Sequence, residues 1–337
     1  MRVLAIVIRI IQQFVRDKRT LALMLIAPLF ILTLMNFIFD SEAYSPIIGV
    51  HGAPEQLMTI LEENDSKVIE YDENAPGKWV KADSLDAFVS FDKGETEITL
   101  EGSDPSVSRA VLGLMQKSVK PDQQAEPAVT YLHGSSDMTS FDNIGPILIG
   151  VFIFFFVFLI AGVSFLRERT SGTLDRIMVT PLKRFELVLG YVIGFGIFTT
   201  FQAILISAFS ISVLDMMMEG PYFYVLLITF LLAMTSLTLG TLLSTFANNE
   251  LQMFQFIPLV IVPQIFFSGL FKLETMADWL QSISYAMPLK YGADALQGIM
   301  IKGYGWGDIA QDVYILLGFS LAFLILNIFA LKKVRRL

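Results

Sequence analysis

Six long apolar stretches, separated by polar or charged turns, dominate the chain. They cover residues 20–39, 144–166, 186–214, 222–246, 251–269 and 313–331. Each is close to or above the roughly 20 residues an α-helix needs to cross about 30 Å of hydrocarbon. The pattern predicts six transmembrane helices. Pro28 lies inside the first, and Pro258 and Pro263 inside the fifth. Spans tolerate such prolines where neighbouring helices satisfy the freed carbonyls. The third stretch is long enough to tilt or to run out past the bilayer.

Ahead of the first span the pattern changes. Val3, Leu4, Ile6, Val7, Ile10, Ile11 and Phe14 alternate with Arg2, Arg9 and Arg16. Two readings fit: an amphipathic helix on the inner membrane surface, or an extension of the first span. The apolar run that follows is longer than the core of a signal peptide, so the helix is expected to stay uncleaved.

Between the first two spans, residues 44–143 lose the long runs. Short β-rich segments at 47–50, 67–71, 87–91, 97–100 and 129–132 alternate with helical spacing at 55–63 and 106–119. This predicts a small α/β domain with a modest core. Residues 270–301 are apolar but broken by Lys272, Glu274, Asp278, Pro288, Lys290 and Asp294. That stretch reads as short helices forming an outer re-entrant hairpin. The expected organisation is therefore an interfacial helix and first span over 1–43, an external α/β domain over 44–143, and spans two to six over 144–337.

Charge orients these elements. Residues 40–143 carry 20 acidic and 7 basic side chains, whereas the rest of the chain is net basic. Basic residues cluster before the first span (Arg2, Arg9, Arg16, Lys18, Arg19), after the second (Arg167, Arg169, Arg176, Lys183, Arg184) and at the end (Lys332, Lys333, Arg335, Arg336). The loop 215–221 has none. By the positive-inside tendency, both termini and the segment 167–184 face the cytoplasm and the acidic domain faces outward. No basic patch of the kind that binds nucleic acid is present.

Composition narrows the chemistry. A 54% hydrophobic chain with a mean hydropathy of +0.61 belongs to the membrane class. There is no Cys, which rules out disulfides and thiolate metal sites, and only two His, His51 and His133. No phosphate-binding G-x-x-x-x-G-K-[ST] loop occurs. Gly303, Gly305 and Gly307 lie in a predicted outer loop without a preceding strand. No Asp, Glu, Lys or Arg lies away from the ends of the predicted spans, so the buried ionisable groups of ion-driven transporters are missing.

Uncharged polar residues do occur in the spans: Asn36, Thr199, Thr200, Gln202, Thr235, Ser236, Thr238, Thr241, Gln255, Gln264 and Asn327. They suit hydrogen bonds between helices, or the lining of a weakly polar path. For a path, Asn36 and Gln264, beside Phe37, Phe266 and Phe267, are the candidates.

The stretch 167–181 reads Arg-Glu-Arg-Thr-Ser-Gly-Thr-Leu-Asp-Arg-Ile-Met-Val-Thr-Pro. Thr173 and Asp175 favour the start of a short helix. Leu174, Ile177 and Met178 then share one face, and Pro181 ends it. Such a helix suits the groove of another protein.

Here the chain resembles the permeases of type-2 ATP-binding-cassette exporters. The pattern of Glu168, Gly172, Thr173, Leu174, Asp175, Arg176, Ile177, Thr180 and Pro181 is similar to that family's cytoplasmic coupling segment. The run Phe267-Ser268-Gly269-Leu270-Phe271, followed by Trp279-Leu280-Gln281, Pro288-Leu289 and Tyr291, resembles its outer hairpin. The large domain after the first span is similar to the drug, antibiotic-resistance and sodium-export subgroup. Three positions depart from the pattern: Tyr191 follows Gly190 where Lys is common, Ala277 and Asp278 stand where Pro is common, and no Arg lies near Gln297.

The resemblance implies an exporter permease in the bacterial plasma membrane. It implies pairing with a second permease chain, identical or paralogous. It also implies docking on a separate ATPase that holds ATP and Mg, and export of a hydrophobic or amphipathic cargo such as a drug, antibiotic or lipid-like molecule. This chain itself would be no enzyme and would carry no cofactor. A membrane sensor with an external ligand-binding domain is the alternative from another class.

Overall fold

The structure is a computed structural model that describes residues 2–39, 46–54, 58–59, 61, 66–82, 85–92, 95–100, 111–115, 139–179, 182–271 and 277–334. The chain forms two compact units: residues 1–40 with 131–337, and residues 41–130.

Among the described residues of the larger unit six helices are long and apolar enough to span a membrane, as the apolar runs predict. Helix α1 (Arg2–Arg16) precedes α2 (Lys18–Phe39), the first span. The second span is α4 (Ser140–Thr170). A six-residue helix, α5 (Thr173–Met178), separates it from α6 (Arg184–Ser212). Helices α7 (Tyr222–Ser244) and α8 (Glu250–Ile265) follow, and a π-helical turn (Phe266–Leu270) extends α8. Two further helices, α9 (Asp278–Ser284) and α10 (Pro288–Lys302), lead to the last span, α11 (Trp306–Val334).

Helix α7 is the centre of the bundle and packs against α4, α6, α10 and α11. Its hydroxyls are buried without cost to the helix because they bond within it. Thr229, Thr235 and Thr241 each donate to the carbonyl four residues earlier, at 2.8–2.9 Å. Links between helices also form. Asn327 Nδ2 donates to Thr238 O at 2.8 Å, Gln202 Nε2 to Met24 O at 3.1 Å, and Ser236 Oγ to Phe154 O. Of the two sequence readings of these polar residues, this is the helix-to-helix one.

Two span starts differ most from the pattern. Helix α11 starts at Trp306, seven residues before the predicted span, because Asp308, Gln311 and Asp312 are polar yet helix-compatible. Helix α4 starts at Ser140. There Thr139 Oγ1 accepts from Asp142 N at 3.1 Å and the Asp142 carboxylate accepts from Thr139 N at 3.0 Å, a reciprocal cap. In the interrupted 270–301 region, α10 is amphipathic. Leu289, Ala293, Leu296, Ile299 and Met300 are buried against the bundle.

The smaller unit holds a four-stranded sheet in the order β2-β1-β3-β4. Strand β1 (Ile47–His51) is parallel to β2 (Lys67–Glu70) and β3 (Ala87–Asp92), and β4 (Glu95–Leu100) is antiparallel to β3. Helix α3 (Pro76–Ala82), which the pattern did not predict, connects β2 to β3. Ile48, Val50, Leu61, Ala87, Val89, Val111 and Met115 form the core. Residues 58–59, 61 and 111–115 are helical, within the two helices predicted at 55–63 and 106–119. His51 Nδ1 donates to Tyr71 O at 2.8 Å. The predicted strand 129–132 and His133 lie outside the described residues.

Candidate functional site

The candidate site is the end of α4 and the turn that follows it. Helix α4 ends when Ser171 N donates to Arg167 O at 2.9 Å and Gly172 N to Arg169 O at 3.2 Å. Gly172 then takes φ +70°, which lets the chain reverse into α5. Only glycine adopts that conformation without cost. Thr173 is the first residue of α5 rather than its cap, and its hydroxyl pairs with Ser171 Oγ at 3.0 Å. Arg176 N donates to Gly172 O at 3.2 Å, which closes the first turn.

The spacing puts Leu174, Ile177 and Met178 on one face and offers the helix to another protein's groove; the Leu174 and Ile177 part of that face packs instead on this chain's own bundle, and the Met178 side chain lies outside the described residues. Leu174 is fully buried and Ile177 half-buried, both in the core of the bundle. Arg176 is exposed, and Val179 at the end of the helix is 87% exposed. Leu174 thus fastens α5 to the protein, and Arg176 and Val179 are presented outward. The Asp175 and Met178 side chains, Thr180 and Pro181 lie outside the described residues.

Glu168 is only 5% exposed, two residues before the end of α4. Its Oε2 accepts from Arg9 Nη2 of α1 at 2.6 Å and from Tyr191 OH of α6 at 3.2 Å. Burial works against the Arg9 charge, but the hydrogen bond and charge of Glu168 outweigh it. The guanidinium pKa lies above its ordinary value. One carboxylate therefore joins three helices. Tyr191, a position where the sequence departs from the family pattern, supplies a hydroxyl, and Arg9 supplies the positive charge from another helix.

The same end of α4 makes two further ties. Arg167 Nε donates to Glu250 Oε1 at 2.6 Å, reaching the start of α8. Arg169 Nη1 donates to Thr245 O at the end of α7. Helix α1 is seated on α6 by close packing. A Cβ added at Gly190 would lie 2.8 Å from Ile6 Cβ, and one at Gly194 would lie 2.8 Å from Ile10 Cδ1. Phe14 stacks on Phe198 at 4.6 Å. The sequence marks the α5 segment but not Arg9 or Tyr191. The available signals were an Arg on the polar side of α1 and a Gly-x-x-x-Gly spacing on α6, which marks close helix approach.

The path candidates divide. Gln264 is buried, and its Oε1 accepts from Leu289 N at 3.0 Å, capping the start of α10. Phe267 is buried and Phe266 exposed, with ring centroids 5.8 Å apart. Asn36 is half-buried and Phe37 exposed on α2. Helix α2 packs mainly on α1, α4 and α6, whereas α8 packs mainly on α4, the π-turn and α10. Gln264, Phe266 and Phe267 therefore share one segment, and Asn36 and Phe37 belong to another.

A bundle of six spans, with a short helix mounted on the end of the second, defines the class: a polytopic α-helical membrane protein. The ABC-2 family transporter protein model matches residues 18–329, and the chain belongs to that family. It is 28% identical over 160 residues to the probable multidrug ABC transporter permease YbhR of Escherichia coli, covering 47% of this chain and 43% of that protein. It is 25% identical over 173 residues to the E. coli permease YbhS, covering 51% of this chain and 45% of the relative. It is also 23% identical over 278 residues to the ABC transporter G family member 20 of Dictyostelium discoideum, covering 80% of this chain and 36% of the relative. The matches span less than half the length of each of these relatives.

Proposed function

We propose that this chain is the membrane permease of an ATP-driven exporter in a bacterial plasma membrane, with α5 as the part that docks on a separate ATPase. Both termini and α5 face the cytoplasm in this reading, in keeping with the basic residues around them. The observation that carries it is the construction of α5. A six-residue helix is fixed by buried Leu174 at one face and projects Arg176 from the other, with Val179 exposed just past its end. The family of the chain and the multidrug permease names of its relatives support the same reading.

ATP and Mg would be held by the ATPase, and two permease chains would pair around the path. Closure of the ATPases would push on α5. Because Glu168 ties α4 to α1 and α6, the push would reach three helices at once. A hydrophobic or amphipathic cargo then leaves between the paired permeases. Phe37 and Phe266 are the path candidates with exposed rings. Thr180 and Pro181 would complete the docking segment.

Native purification tests the proposal. An ATP-binding-cassette ATPase should co-purify, and Val179→Asp should weaken the association about tenfold or more, since burying a valine is worth about 1.5–3 kcal/mol. An unchanged association in that variant, or no co-purifying ATPase, contradicts it.

A further inference from the structure

Helix α2 carries Pro28 inside it. Proline has no N–H, so the carbonyl of Met24, one turn earlier, loses the donor that an α-helix gives it. Met24 is buried, and a bare carbonyl there would find no water. The missing donor comes from another helix. Gln202 of α6, itself fully buried, donates Nε2 to Met24 O at 3.1 Å. Just past Pro28, Thr33 Oγ1 donates to Leu29 O at 2.8 Å, a bond of the kind that bends helices. A proline inside a helix is an ordinary place for it to kink.

Gln202 ends a stripe of α6 that holds the first two helices. Residues 190, 194, 198 and 202 are four apart and share one face. Gly190 and Gly194 admit Ile6 and Ile10 of α1, and Phe198 stacks on Phe14. At Gln202 the partner changes from α1 to α2, and the contact from packing to a hydrogen bond. Beyond that bond α2 is lightly held. Among its described residues after Pro28, Leu32 alone is fully buried, while Phe30, Leu34, Phe37 and Ile38 are exposed.

The bond is also weak for a buried one. Gln202 Oε1 is buried with no partner, so one end of the amide is satisfied and the other is not. The unsatisfied end offsets much of what the single bond contributes. The two states of α2, with the Met24 bond made or broken, therefore lie close in free energy.

We infer that Gln202 is a latch on the first span. It stands in for the N–H that Pro28 lacks, and the part of α2 after Pro28 swings about that residue when the bond opens. Asn36 and Phe37 lie on the swinging part. In the export reading, which this inference uses only for that consequence, Gln202 is a positioning residue for the path candidates of the first span.

Spin-label distances on the full chain in vesicles test the latch. The chain has no cysteine, so Ile38→Cys, after the hinge, and Leu23→Cys, before it, can each be paired with Phe223→Cys at the start of α7. All three positions are exposed. The pair with Ile38→Cys should show one main distance and a minor one. Gln202→Leu should raise the minor population about two- to tenfold, the equivalent of one neutral hydrogen bond. Pro28→Ala restores the helical N–H, and in that background Gln202→Leu should change nothing. The pair with Leu23→Cys should keep one distance in every variant, which also reports that the bundle is intact. The inference is overturned if Gln202→Leu leaves the Ile38→Cys distances as they were, or shifts them equally in the Pro28→Ala background. Broadening of the Leu23→Cys distance alongside them would overturn it too. No ATPase or transport enters the measurement, so the export reading stands or fails separately.

Discussion

A carboxylate at 5% exposure with no partner would cost several kcal/mol. Glu168 avoids this because Arg9 and Tyr191 reach it from two other helices. Arg9 is partly exposed, so solvent screens the pair and the net gain is smaller than for a fully buried one. Arg9→Gln, Glu168→Gln and the double variant, followed by thermal unfolding in detergent, should give a coupling of about 0.5–3 kcal/mol. Additive losses would mean that the two groups do not act together. At Gly172 the argument is conformational. With φ at +70°, Gly172→Val should destabilise the turn by about 1–2 kcal/mol and weaken ATPase association. Arg167→Ala, which removes a half-exposed ion pair with Glu250, should cost only about 0.2–1 kcal/mol.

At the scale of elements, α1 is a strap laid on α6. Its buried face is Ile6, Val7, Ile10 and Phe14, while Leu4, Ile8 and Val15 are exposed on another side, as suits a helix at a membrane surface. Asp17 breaks the helical run between α1 and α2. Gly194→Leu would overfill the crossing and lift α1, at a cost of about 1–3 kcal/mol. The chain has no cysteine, so the paired substitutions Ile10→Cys and Gly194→Cys report the contact. Oxidation should join them, and no disulfide should form if α1 lies elsewhere.

Here the sequence and the structure part company for a clear reason. The spans and α5 are legible because their signals are local: long apolar runs, and apolar residues three and four apart. The linkage at Glu168 is not, because Arg9 lies 159 residues away and Tyr191 on a different helix. Gln264 looks like a path residue in sequence, since a polar side chain among apolar neighbours serves a path or a hydrogen bond equally well. Only the fold places the Leu289 N–H within its reach.

For the whole molecule, the connected end of α4 gives one mechanical account. Helices α1, α6, α7 and α8 are all tied to residues 167–169. A force applied at α5 would be carried to these helices through charged and polar contacts rather than through a charge inside the membrane. The orientation this requires places residues 215–221 on the opposite side from α5. In intact cells, a membrane-impermeant maleimide should label Asp215→Cys readily and Val179→Cys only after permeabilisation. The reverse pattern would invert the assignment of sides.

The most direct test of the account is a cross-link from Val179→Cys, exposed just past α5, to a co-expressed ATP-binding-cassette ATPase. A cysteine-to-amine cross-linker should join the two chains in membranes, with a yield that changes when ATP and Mg are added. An adduct formed only with lipid or with proteins outside the cell, or none under conditions where the complex transports, would contradict the role given to α5.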